Sequence, residues 1–159
     1  MSQKKQFYLL KIPAKLPSRA PDSAYDRPTK DDHESLASLM LDAYTGTIDY
    51  DGETIDDAHQ EVGSYFSGKP LLECSNLYFE RGILVSACLV AIYNDSRTPI
   101  VSYVMTRARD KRTGLARRLL EASICDLGRA GYKQVGAWIT DGNEPSERLH
   151  RSLQFELRK

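Results

Sequence analysis

From Thr29 onward the apolar residues fall at helical spacing, with Leu36, Leu39, Met40 and Ala43 recurring every third or fourth position until Gly46 stops them. Thr29 followed three residues later by Asp32 is a weak capping box, which predicts a helix start there. The same signal returns at Thr54 and Asp57. Ile55, Ala58, Val62 and Phe66 then form the stripe of a second helix, ended by Gly68 and Pro70. From Leu71 the period changes: LLECSNLYFERGILVSACLVAIYNDSRTPIVSYVMT is rich in Val, Ile, Leu and Tyr and is punctuated by Glu80-Arg81-Gly82 and by Asn94 to Pro99. That pattern predicts three antiparallel strands. A third helix from about Leu115 turns Ala116, Leu119, Leu120, Ile124 and Leu127 inward and ends at Gly128 and Gly131. In YKQVGAWIT, Val135, Ala137 and Ile139 alternate as a strand, and Asn143-Glu144-Pro145 opens a fourth helix with Leu149 and Leu153 inward. FELRK closes the chain as a strand. At the other end Phe7 to Ile12 reads as a strand, followed by an irregular connector carrying Pro13, Pro17, Pro21 and Pro28.

The order is strand, two helices, three strands, helix, strand, helix, strand: a mixed α/β (α+β) arrangement of one sheet with helices on its faces. At 159 residues it suits one compact domain. Residues 1–25 are expected to be an N-terminal strand and linker, and 26–159 the domain proper. With 41% hydrophobic and 28% charged residues the composition is globular. No apolar run is long enough for a membrane span, and the N-terminus is too broken by Pro13 for a signal peptide, so the chain reads as cytoplasmic with no membrane partner. Cys74, Cys88 and Cys125 are odd in number and unpaired by any CxxC spacing, and His33, His59 and His150 are dispersed; neither a disulfide framework nor a metal site is expected.

Charge changes the picture more. The formal net charge is zero, yet DYDGETIDDAHQE gathers Asp49, Asp51, Glu53, Asp56, Asp57 and Glu61, while RDKRTGLARRLL concentrates Lys and Arg around Gly114. That basic stretch lies between a strand and a helix, so the amides of Arg112 to Arg117 crowd the positive helix end, where several have no intrahelical partner. An anion site follows by construction, with small Gly114 and Ala116 allowing close approach and Lys111, Arg112 and Arg117 adding charge. The alternative is a solvated helix face around a turn glycine. The spacing is neither that of a P-loop nor of a dinucleotide fingerprint. Zero net charge and the lack of interleaved aromatic residues speak against a nucleic-acid grip.

The stretch VMTRARDKRTGLARRLL resembles motif A of the GNAT superfamily of acyl-CoA N-acyltransferases, in which a strand runs into a pyrophosphate loop and then a helix. Lys111-Arg112-Thr113-Gly114-Leu115-Ala116 fills the loop pattern, with Lys111 where Gln or Arg is usual. TDGNEPSERLHRSLQFE is similar to motif B, with Asn143, Ser146, Arg148, Leu149, His150, Leu153 and Phe155 in place and Gln154 where Gly is usual. The resemblance implies transfer of an acetyl group from acetyl-CoA to a primary amine by direct attack on the thioester. It implies a pyrophosphate on the amides of 112–117 and a pantetheine arm along Val104, Met105 and Thr106, with an amide near Met105 polarising the thioester carbonyl. Asn143, Ser146 and His150 would complete the coenzyme side.

Family members often place a Glu on the strand preceding the loop, whereas Val101-Ser102-Tyr103 offers no carboxylate; a water chain to Tyr103, Asp141 or Glu73 is one solution. His150 stands where a proton-donating Tyr is common, and either donates a proton or only packs beside the coenzyme. The loop TGTIDYDGET, on the acceptor side in the family, offers Asp49, Asp51 and Glu53 to a cationic amine, with Tyr44 or Tyr50 stacking on it, or is simply solvated. The acceptor is then a small-molecule or protein amine. Covering of the sheet edge is assigned to Phe7–Ile12 or to a second copy in a homodimer. A non-catalytic acyl-CoA-binding module of the same fold is the alternative function.

Overall fold

The computed structural model describes residues 3–15 and 24–159. The connector expected over 13–28 lies partly outside the described residues. Strand β1 (Lys5–Lys11) comes first. Thr29 and Asp32 do form a reciprocal capping box, but it opens a single 3-10 turn at Lys30–Asp32 before α1 (His33–Tyr44) begins. Helix α2 (Ile55–Ser67) starts on the Thr54/Asp57 capping box. Its stripe is rotated from expectation: Ala58, Val62 and Tyr65 are buried, while Ile55 is left exposed at the helix start. The strands β2 (Lys69–Pro70), β3 (Asn76–Glu80), β4 (Ile83–Ile92) and β5 (Ile100–Thr106) follow. Two-residue β2 escapes a pattern search because it coincides with a helix stop signal. Arg81 and Gly82 both have positive φ (53° and 79°), the turn that joins β3 to β4. The chain ends with α3 (Leu115–Arg129), β6 (Gln134–Thr140), α4 (Glu144–Ser152) and β7 (Glu156–Arg158).

Among the described residues these strands make one seven-stranded mixed sheet in the order β2-β4-β5-β6-β1-β7, with β3 also on β4. Strand β1 pairs antiparallel with β6 from Lys5↔Thr140 to Lys11↔Gln134 and with β7 from Phe7↔Arg158 to Leu9↔Glu156. It is thus an inner strand, with β7 outside it. Strand β4 is apolar at nearly every position because both its faces are covered. Cys88 and Val90 join a core with α3, β1 and β6, while Ala87, Leu89 and Ala91 join a second core with α1 and α2. Among the described residues no helix is long and apolar enough to cross a membrane.

A buried polar cluster ties the segment before α1 to the far side of the sheet. Arg27 Nη1 donates to Asp126 Oδ2 at 2.6 Å, Asn76 Oδ1 at 3.0 Å and the Ser75 carbonyl at 3.3 Å. Asn76 Nδ2 in turn donates to Ser123 Oγ and Asp126 Oδ2 at 2.9 and 3.0 Å. The Asp126 side chain is 5% exposed and that of Arg27 37%, so the pair is only partly screened. Replacing Asp126 by Ala removes the buried acceptor that Arg27 and Asn76 share. Urea denaturation of Asp126→Ala should show a loss of about 2 kcal/mol in unfolding free energy.

Candidate active site

Among the described residues strands β5 and β6 are the one parallel pair, and their register contains a single point, Ile100↔Gly136, next to the bond from Gly136 N to the Pro99 carbonyl at 2.9 Å. Beyond it the two strands diverge, each keeping its other neighbour: β5 stays on β4 and β6 on β1. Their facing edges therefore carry backbone groups with no ladder partner. A bulge sharpens the divergence. Leu89 opposes Tyr103 and Val90 opposes Val101, so Ser102 is an extra residue in β5. The gap is a cleft of about 730 Å³ floored by Val101 to Val104 of β5 and Ala137 to Thr140 of β6.

At the end of β5 the chain makes a 3-10 turn (Ala108–Asp110) and enters α3 through Gly114, whose φ of 84° suits a residue without a side chain. The first bond of the helix is Arg118 N to the Gly114 carbonyl at 3.1 Å, so the amides of 112–117 precede the intrahelical ladder. The basic side chains are less uniform than their sequence suggests. Lys111 Nζ caps the last turn of α1 by donating to the Ala43 carbonyl at 2.6 Å, and Arg107 pairs with Asp110 at 2.6 Å. Arg117 reaches Glu121 at 3.0 Å and Ser152 Oγ at 2.6 Å, linking α3 to the end of α4. Arg118 bends back to the Thr113 and Gly114 carbonyls at 3.4 Å. Arg107, Lys111, Arg117 and Arg118 are thus engaged within the protein, while the peptide nitrogens of 112–117 stand outside the helix ladder.

Helix α4 and its cap add Asn143, Ser146 and His150 to the cleft lining, which the residues 107–117 do not reach. Asn143 caps the helix, its Oδ1 accepting from Ser146 N at 3.2 Å, while its Nδ2 donates to Asp49 Oδ2 at 3.0 Å and so pins the α1–α2 loop to α4. His150 is 3% exposed, edge-on to Phe155 at 5.0 Å between ring centroids, and lines the cleft. Its Nδ1 donates to the Ser146 carbonyl at 2.8 Å. Burial pulls its pKa below the ordinary 6.5, the Ser146 carbonyl opposing this in part. The neutral ring therefore keeps its proton on Nδ1 and presents a lone pair at Nε2, which is buried and without a partner among the described residues. That polarity is the reverse of a proton donor's.

The acidic wall of the cleft comes from the α1–α2 loop and α2. Tyr44, Asp49, Tyr50, Asp51 and Glu53 all line the cleft. Tyr103 OH donates to Glu61 Oε2 at 2.5 Å. Burial, reinforced by that carboxylate, raises the Tyr103 hydroxyl above the usual phenol range, and burial with Asp49 nearby does the same to Tyr44. Among the other residues singled out in the sequence, Val104, Asn143, Ser146 and His150 also face the cleft. Met105 points into the core under α1 and α2, and Thr106 Oγ1 bonds Ser86 Oγ at 2.9 Å. Asp141, whose amide donates to the Lys4 carbonyl at 2.8 Å, and Glu73, on the turn before β3, are not among the lining residues. Glu61 and Trp138 are among the lining residues that the sequence reading left without a role. Glu61 looks like one more helix-surface acid until α2 is laid over β5. Trp138 was detectable as the one outward aromatic in β6, and it stands 57% exposed beside Phe7.

Residues 81–159, from the β3–β4 turn to the C-terminus, match the family model for FR47-like proteins. No curated protein matches the chain. In three dimensions it is similar to a GCN5-related N-acetyltransferase from Sphaerobacter thermophilus, with TM-score 0.72 and 15% identity over 99% of this chain and 50% of that one. A GNAT-family acetyltransferase from Colwellia psychrerythraea gives TM-score 0.73 at 10% identity, covering 99% and 54%. The yncA protein of Salmonella typhimurium, solved with its cofactor acetyl-CoA, gives 0.63 at 21%, covering 82% and 77%. The chain spans about half the length of the first two. Its residues 81–159 thus carry an FR47-like domain, and the fold of its described residues is that of the GNAT acetyltransferases it resembles.

The neutral His150 has a consequence for stability. The unfolded chain protonates this ring below its ordinary pKa of 6.5 while the folded state resists, so its contribution is present above that pH and lost as pH falls. Between roughly pH 7.5 and 5.5 the unfolding free energy should drop more steeply in the wild type than in His150→Gln. Parallel pH profiles of chemical denaturation would show that His150 is not held neutral.

Proposed function

We propose that this chain transfers an acetyl group from acetyl-CoA to a primary amine by direct attack. The observation that carries the proposal is the divergence of β5 from β6, which leads two open strand edges toward the unladdered amides at the start of α3. The donor set fits the coenzyme. An extended amide-bearing arm can pair with the free edge of β5 as an added strand, and a diphosphate suits the amides of 112–117. When bound, acetyl-CoA supplies the activated acetyl group. The bulge at Ser102 leaves β5 backbone unladdered on the cleft floor, where an amide can polarise a carbonyl oxygen.

An alkylamine has a pKa near 10.4 and must shed a proton to attack. Tyr103 and Glu61 supply the path: the phenol oxygen takes the proton from nitrogen as its own passes to the carboxylate. This answers the missing carboxylate on the strand, because the acid comes from α2 instead. It favours an enzyme over a module that only binds acyl-CoA. His150, presenting an acceptor, orients an N–H group of a ligand rather than protonating the leaving thiolate.

Two variants separate binding from chemistry. Ala116→Asp puts a carboxylate in the first turn of α3, where it suits the helix dipole, so folding is preserved while the amides are claimed by an internal anion. Calorimetry should show acetyl-CoA affinity lowered at least ~10-fold; unchanged affinity would move the coenzyme elsewhere. Glu61→Gln should leave acetyl-CoA affinity intact and lower kcat on a reactive amine by ~100-fold.

A further inference from the structure

The chemistry above uses Glu61, Tyr103 and the strand edges and leaves most of the acceptor wall unexplained. Asp49, Asp51, Glu53 and Asp57 line the cleft together with Glu61, and Lys5 is the only cation lining it among the described residues. The bonds these carboxylates make are to uncharged groups. Asp49 accepts from Asn143, Glu53 from the Asp51 amide, Asp57 from the Thr54 amide and Glu61 from Tyr103. The ion pairs Arg27–Asp126, Arg107–Asp110 and Arg117–Glu121 all lie away from this wall. Asp51, Glu53 and Asp57 are exposed at the mouth, so their negative potential faces whatever enters.

A second observation, independent of the acids, points the same way. His150, 97% removed from solvent, lines the same cleft and carries at Nε2 a buried acceptor with no partner among the described residues. An orphaned acceptor in that position calls for a ligand that donates an N–H. The aromatic faces agree: Tyr44 and Tyr50 on one side and the exposed Trp138 on the other suit a cation, which is drawn to a ring face. Carboxylates, ring faces and an imidazole lone pair share one complement.

Resting on the acetyltransferase reading, we infer that the acceptor is a small molecule with at least two ammonium groups. One is deprotonated through Tyr103 and Glu61 and acetylated, while another is held at the mouth by Asp51 and Glu53. A single amine would leave the outer carboxylates without a cation, and a neutral or anionic acceptor would meet them as repulsion or as a desolvation cost.

The test uses the full chain with spermidine, 1,4-diaminobutane and butylamine as probes, by calorimetry with and without acetyl-CoA and by steady-state turnover. The di- and triamine should bind and react with kcat/KM at least ~10-fold above butylamine, and the preference should shrink as ionic strength rises. Asp51→Asn combined with Glu53→Gln, in an exposed loop, should reduce that preference to near unity while acetyl-CoA affinity stays unchanged. Equal use of butylamine, or a preference that survives the double variant, overturns the inference. The outcomes also separate the two readings: acetyl-CoA binding without diamine preference removes only the acceptor class. Diamine binding without acetyl-CoA binding removes the acetyltransferase assignment and leaves an oligocation site, and absence of both removes both.

Discussion

The site exists because two parallel strands meet once and then separate. At Ile100↔Gly136 the pair closes, and the closure depends on the absence of a side chain on β6. A Cβ at Gly136 would stand 2.5 Å from the Phe7 ring and 3.1 Å from Ile100 Cδ1, so β1 and β5 could not both crowd β6 there. Past that point β5 gains an extra residue at Ser102 and bends with β4, while β6 follows β1. A conventional parallel sheet would have zipped the two edges together and left neither an open backbone nor a cleft.

The cleft is held open by cross-ties between elements that are distant in sequence. Lys111 caps α1, and Asp42 on α1 accepts from the Ala108 amide at 2.7 Å, so the loop before α3 is anchored to α1. Asn143 joins α4 to Asp49, and Gln3 donates to the Ile48 carbonyl at 2.6 Å, which fastens the α1–α2 loop from two directions. These bonds consume side chains that charge alone would assign to ligands. What remains is sorted by polarity: donors, chiefly peptide N–H groups, gather at the start of α3, and acceptors gather on the opposite wall. The two polarities are thereby kept on separate surfaces: the α1–α2 loop and α2 line the cleft, and the start of α3 lies outside its lining.

Much of this was legible along the chain. The capping pairs Thr29/Asp32 and Thr54/Asp57, the Asn143-Glu144-Pro145 start and the period-two alternation of β6 are local signals, decided by backbone groups within a turn of one another. The motif around Gly114 was legible for the same reason, since the unladdered amides of a helix start need only their own loop. The acidic loop facing the cleft could be named as a candidate from its composition. Tyr65 inward and Ile55 outward could not, because the rotation of α2 is set by the sheet beneath it.

Sequence alone therefore determined where helices begin, which strand runs into the glycine turn before α3 and which loop is acidic, because each rests on interactions within a few residues. Only the tertiary structure decided that Glu61 meets Tyr103, that Lys111 serves α1, that β1 lies between β6 and β7, and that His150 offers a lone pair rather than a proton. Those outcomes depend on which surfaces are brought face to face and dried, and no local pattern encodes the partner on the other side of a cleft.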